Sequence, residues 1–172
     1  MRKGLLSTKD SVVCANEDCN VTVLSPTLKS IPHVVRLAFA SANISVKMSE
    51  MLLHSERIIV NQEVFHSKSY TLVKKRNSYT VILTNGKIFA IQYYVIVNNL
   101  CYAVGRFLPI IRNFKLFSDK NALSFQVGVG KSVEPVSVND VTEIVSKVVF
   151  LRCDHLDANI ACMYTSELEI VK

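Results

Sequence analysis

Residues 79–106 read YTVILTNGKIFAIQYYVIVNNLCYAVGR, and the fold turns on how this stretch is parsed. Two runs rich in β-branched and aromatic residues, Tyr79 to Leu83 and Ile88 to Val97, flank Thr84, Asn85, Gly86 and Lys87. Asparagine followed by glycine is the strongest short-range hairpin signal in the chain, because both residues tolerate the positive φ that a tight primed turn demands. The two runs must then lie antiparallel, and a second polar turn at Asn98 and Asn99 sends Leu100 to Phe107 back again. The middle run is apolar on both faces: Phe89, Ile91, Tyr93, Val95 and Val97 alternate with Ile88, Ala90, Tyr94 and Ile96. That pattern predicts a strand covered on both sides. Gly105 falls where a strand can bend sharply at a barrel corner.

Upstream of this stretch, Arg57 to Val60 reads as a strand, Gln62 to Phe65 as its continuation past a bend, and Ser69 to Val73 as the next. Residues 57–111 are therefore expected to form one antiparallel meander. A short helix is predicted near 31–42, with Ser30 as cap, Pro32 in the first turn, and Val34, Val35, Leu37, Ala38 and Ala42 at helical spacing. Residues 1–29 show little periodicity before Val21, Val23 and Leu24, and read as a loosely ordered leader with room for one short strand. Downstream, Ala122 to Val127 reads as a strand, 128–137 as a loop, Val138 to Val145 as a short helix, and Val145 to Cys153 as a buried strand. A last strand is expected near Ile160 to Tyr164 or Leu168 to Val171. Roughly six to eight strands with one or two short helices make a mainly β (α+β) chain, expected as a small barrel or sandwich built on the meander, a single domain over 30–172.

The composition agrees with a packed core. The chain has 172 residues, 49% of them apolar and 20% charged, which excludes a disordered chain, and only 5 glycines and 4 prolines, which excludes long flexible linkers. The net charge of +6 favours an acidic partner, and is also an ordinary solubilising charge. An odd number of cysteines, 5, with no secretory signal at the start, points to a reducing, intracellular compartment. The most hydrophobic stretch, Phe89 to Ile111, is broken by Gln92, Asn98, Asn99 and Arg106, so no membrane partner is expected.

Recognisable catalytic patterns are missing. Gly128, Val129, Gly130, Lys131 and Ser132 resemble the end of a phosphate-binding loop, yet position 125 is Phe where that loop needs glycine, and Pro135 follows where it needs a helix. Cys14 and Cys19 have a spacing allowed for zinc, and Cys153, His155 and Cys162 are the remaining candidates. Cys153 and His155 have one residue between them, a poor bite for one metal, so no metal and no cofactor are expected. His33, His54, His66 and His155 are scattered and no nucleophile elbow occurs. The alternative reading, a small metal-dependent or Cys/His hydrolase, would need His66 or His155 gathered with a carboxylate or thiol. The best functional lead is basic: Lys68, Lys74, Lys75 and Arg76 lie on or beside one hairpin and Lys87 at the next turn, with Tyr70, Tyr79, Tyr93 and Tyr94 interleaved. Such a patch can neutralise phosphates while a tyrosine such as Tyr70 stacks on a base; a solvated turn gives the same run of charges.

Residues 56–106, ERIIVNQEVFHSKSYTLVKKRNSYTVILTNGKIFAIQYYVIVNNLCYAVGR, also carry an order of features that resembles a known segment. They are similar to the β-rich C-terminal segment of transposase-like proteins of cut-and-paste elements, in outline like bromo-adjacent-homology and other SH3-like barrels. The resemblance lies in His66, Ser67 and Tyr70, the turn at 75–78, the Asn-Gly turn, the Ile-x-Tyr-Tyr strand and the Cys-Tyr-Ala run at 101–103, with 148–154 as closing strand. It implies an accessory or remnant module of a transposon-derived protein, in the nucleus, without catalysis, with a nucleic acid such as DNA or a chromatin-associated protein as the expected partner. The acidic catalytic residues of such transposases belong to another domain.

Overall fold

The computed structural model of the chain describes residues 11–16, 19–47, 50–72, 79–114, 125–128, 134–153 and 158–163. The hairpins are set by their loops, and the loops differ from the sequence expectation. At Asn85-Gly86 only Gly86 takes a positive φ, of 76°. The Gly86 amide donates to the Leu83 carbonyl at 2.8 Å and the Leu83 amide to that of Lys87 at 3.0 Å, which makes a three-residue loop ending in a bulge. The two-residue primed turns stand elsewhere. Asn98 and Asn99 have φ of 50° and 63°, and Asn61 and Gln62 have 48° and 69°. Asparagine adopts this left-handed conformation more readily than most residues because its short polar side chain bonds locally.

These turns and the segments between them give fourteen strands and one α-helix among the described residues. The strands are β1 (Ser11–Cys14), β2 (Val21–Leu24), β3 (Thr27–Ser30), β4 (Met51–Ser55), β5 (Arg57–Val60), β6 (Glu63–His66), β7 (Thr80–Leu83), β8 (Ile88–Val97), β9 (Leu100–Leu108), β10 (Ile110–Phe114), β11 (Phe125–Gly128), β12 (Val136–Asp140), β13 (Ile144–Cys153) and β14 (Ala158–Met163). Helix α1 is His33–Ser41, and all the pairings are antiparallel. The chain is mainly β, as expected. The ladders make two sheets, β1-β2-β5-β6 and a larger branched one centred on β8, and the described pairings close no ring.

The expected meander over 57–111 is divided between these sheets. β7, β8 and β9 do meander, whereas β5 and β6 pair with each other and with β2 in the smaller sheet. Nor is the N-terminal region a loose leader where it is described: β1, β2 and β3 all enter ladders, and Val21 and Val23 are completely buried. The helix is found, with Pro32 rather than Ser30 at its N-cap and no side-chain cap. The helix expected over 138–145 is replaced by β12 and a single 3-10 turn, Val141–Glu143. Asp140 caps that turn by accepting from the Thr142 amide at 2.8 Å, an alternative to the helical ladder that short acidic side chains favour.

Strand β8 lies between two apolar layers. One face meets the smaller sheet: Phe89, Ile91, Tyr94 and Ile96 pack with Val21, Val23, Ile58 and Phe65. The other face meets α1, with Val95 and Val97 against Val35, Phe39 and Tyr102. Strict alternation would put Ile91, Tyr93 and Val95 on one face. A register shift between Ile91 and Tyr93 inserts one residue, Gln92, and exchanges the faces beyond it. Gly105 lies opposite Ile91, so the sharp bend anticipated at that glycine coincides with the bulge.

Candidate functional site

At one end of the two sheets the chain crosses between them twice, side by side. Ser25, with φ of 47°, and Pro26 lead from β2 to β3, and Glu56 leads from β4 to β5. The Ser55 hydroxyl ties the crossings together, donating to the Leu24 carbonyl at 2.5 Å and accepting from the Arg57 amide at 3.1 Å. The β8 bulge fixes the third wall. The Ile91 and Gln92 carbonyls accept from the Lys68 and Ser69 amides at 2.8 and 3.4 Å, and the Ser69 hydroxyl donates to Gln92 at 2.6 Å. With the Ser67 amide held on the Glu56 carbonyl at 2.8 Å, the turn 67–70 is fastened over the crossings.

This fastening encloses a cleft of about 330 Å³, lined among others by Lys29, His54, Ser55, Glu56, Arg57 and Tyr70. The Arg57 guanidinium stands 4.8 Å from the Tyr70 ring centroid, a cation–π contact. His66 stacks on the same ring at 4.9 Å. His54, 8% exposed, stacks on Tyr93 at 4.9 Å, and its Nε2 has no hydrogen-bond partner. Burial, then the Lys29 charge, holds the His54 imidazole below its ordinary protonation range. Burial also lowers His66, followed by Lys147 and Arg57. Both rings are therefore neutral near pH 7, and Lys29, Arg57 and Lys147 supply the positive charge acting on them. Lys147 is itself paired with Glu63 at 2.8 Å. With the Lys29 and Arg57 cations set against one carboxylate, Glu56, the walls keep a net positive charge, which favours a small anionic group.

The chain matches no protein-family model, and neither the curated proteins nor the solved structures contain a significant match.

Of the residues singled out in the sequence, Tyr70 lines the cleft and Lys68 is exposed on the turn beside it. Lys74, Lys75 and Arg76 lie outside the described residues. Lys87 is not part of the cluster. It precedes β8, while the cleft lies near Tyr94, about 20 Å along the strand, and its ammonium sits 5.3 Å from the Phe107 centroid. Lys29 and Arg57 were missed: each lies in a short strand with no other cation adjacent, and only the paired crossings bring them together. Among the described residues no three His, Cys, Asp or Glu side chains gather as metal ligands. Cys14 and Cys19 do not face one site. Cys14 packs in the core against Cys101, and the Cys19 thiol donates to the Asn61 side-chain oxygen at 3.3 Å. His155 and residues 129–132 of the phosphate-loop-like run lie outside the described residues.

Proposed function

We propose that this chain is a non-catalytic binding module that holds the phosphate backbone of a nucleic acid at the corner formed by Lys29, Arg57 and Tyr70, with Lys68 beside it. The observation that carries this reading is the clustering of Lys29 and Arg57 around one cleft, with Tyr70 and the 67–70 turn holding Arg57 in place. A cation already held against an aromatic ring loses less side-chain freedom on meeting a phosphate than a free one. Tyr70 then serves as a platform for Arg57. Its ring already carries His66 and Arg57, which argues against the base stacking expected of it.

The resemblance over residues 56–106 supports an accessory or remnant domain of a transposon-derived protein, SH3-like in outline and working in the nucleus. Hydrolase chemistry has less in its favour. The charges acting on His66 are Lys147 and Arg57, which oppose the imidazolium that a nucleophile–histidine relay forms.

Binding of a single-stranded oligonucleotide, followed by fluorescence anisotropy across a salt series, tests the reading. Arg57→Ala and Lys29→Ala should each lower the salt slope by about 1 and the affinity roughly fivefold, across all sequences alike. Lys87→Ala should change neither appreciably. No measurable affinity at low salt would remove the nucleic-acid reading and leave an acidic protein surface, such as that of a chromatin-associated protein, as the partner to seek.

A further inference from the structure

Cys14 and Cys101 are far apart in sequence and adjacent in the core. Cys14 ends β1 in the smaller sheet, and Cys101 is the second residue of β9 in the larger one. The chain beside them is clamped. The Ala15 amide donates to the Asn99 carbonyl at 2.9 Å, and Asn16 binds the Cys101 backbone twice, accepting from its amide at 2.9 Å and donating to its carbonyl at 3.1 Å. Asn16 donates as well to the Asp140 carboxylate at 3.0 Å. The two thiols are free and buried in the same apolar cluster, close enough for each to act on the other's proton.

We propose that Cys14 and Cys101 are a redox pair, which a small-molecule disulfide such as oxidised glutathione converts to an internal disulfide fastening β1 to β9. Access assigns the roles. Cys101 is completely buried, and the neighbouring Cys14, burial and the Asp140 carboxylate all disfavour its thiolate. Cys14, at the end of β1, is the more accessible sulfur and makes the attack. Among the described residues β1 is an edge strand paired only with β2, and the neighbouring Val13 is 69% exposed, so local opening of β1 uncovers it.

In the first step the Cys14 thiolate attacks one sulfur of the oxidant and expels one glutathione thiolate. In the second, Cys101 gives up its proton and attacks the Cys14 sulfur of the mixed disulfide, expelling the other. Two protein thiols lose two electrons and two protons, and the oxidant gains them as two glutathione thiols. The product ties the first described strand to the centre of the larger sheet.

The test is oxidation of the full chain with oxidised glutathione under native conditions, read by intact mass and by a peptide map without reductant. The expected result is loss of two hydrogens, a cross-linked peptide joining Cys14 to Cys101, and a melting temperature raised on the order of 10 °C and restored by dithiothreitol. Cys101→Ala should instead leave glutathione attached to Cys14. A chain with Cys19, Cys153 and Cys162 all changed to Ser should still form the bond. A cross-link mapped to any other pair, or thiols that react only in denaturant, would overturn the proposal; the wild-type map decides even if a variant does not fold.

Discussion

A β-carbon added at Gly105 would stand 2.1 Å from the Ala90 carbonyl oxygen, closer than backbone atoms tolerate. The backbone of β9 approaches β8 at this point, and nothing flexible can give way. Gly105→Ala should therefore destabilise the fold by about 2–4 kcal/mol, measured as a drop in denaturant midpoint with little change in slope. His54 acts at the same scale through its proton. Its folded pKa lies below the ordinary value of 6.5, so as pH falls the unfolded chain binds the proton first. Stability should fall as pH drops through 6.5, and level off once the folded form is protonated too. His54→Phe keeps a ring against Tyr93 and removes the proton site. Its melting temperature should fall less between pH 7 and 5 than that of the parent, with a remainder due to His66, which is shifted the same way.

Among the elements, the turns decide register. Asn98 and Asn99 pair Val97 with Leu100, and Asn61 and Gln62 pair Val60 with Glu63. A β-branched residue in the left-handed region is strained, so Asn98→Val should cost about 1–2 kcal/mol by chemical denaturation, whereas Asn98→Gly should be nearly neutral. The two apolar runs on either side of Asn85-Gly86, and the return at Asn98-Asn99, are local properties and were legible in the sequence. The form of each loop was not, because Asn-Gly suits both a primed turn and a bulged one, and the strands flanking it decide. The Gln92 bulge was invisible for a related reason. β8 is apolar on both faces, so inserting one residue leaves the pattern looking the same. That bulge also supplies the carbonyls that hold the 67–70 turn, so the cleft depends on a feature the periodicity conceals.

Across the whole molecule, β8 is covered by the smaller sheet on one face and by α1 on the other, while all four residues of β3 are exposed at a sheet end. Hydrogen exchange should follow this layering. Amides of β8 should exchange only through global unfolding, and those of β3 through local opening several kcal/mol cheaper, about 3 or more. A native-state exchange series in low denaturant would show β3 merging with β8 only if the layers were a single unit. The amino-acid sequence by itself determined that the chain is β-rich, that Ile88 to Val97 is a strand covered on both faces, and that Asn-rich turns reverse the chain around it, because β propensity and turn chemistry act between near neighbours. Which strands share a sheet, which face each side chain meets, and the meeting of Lys29 with Arg57 were decided only by tertiary structure. Those outcomes depend on contacts between residues tens of positions apart, where burial is shared among strands that no local pattern connects.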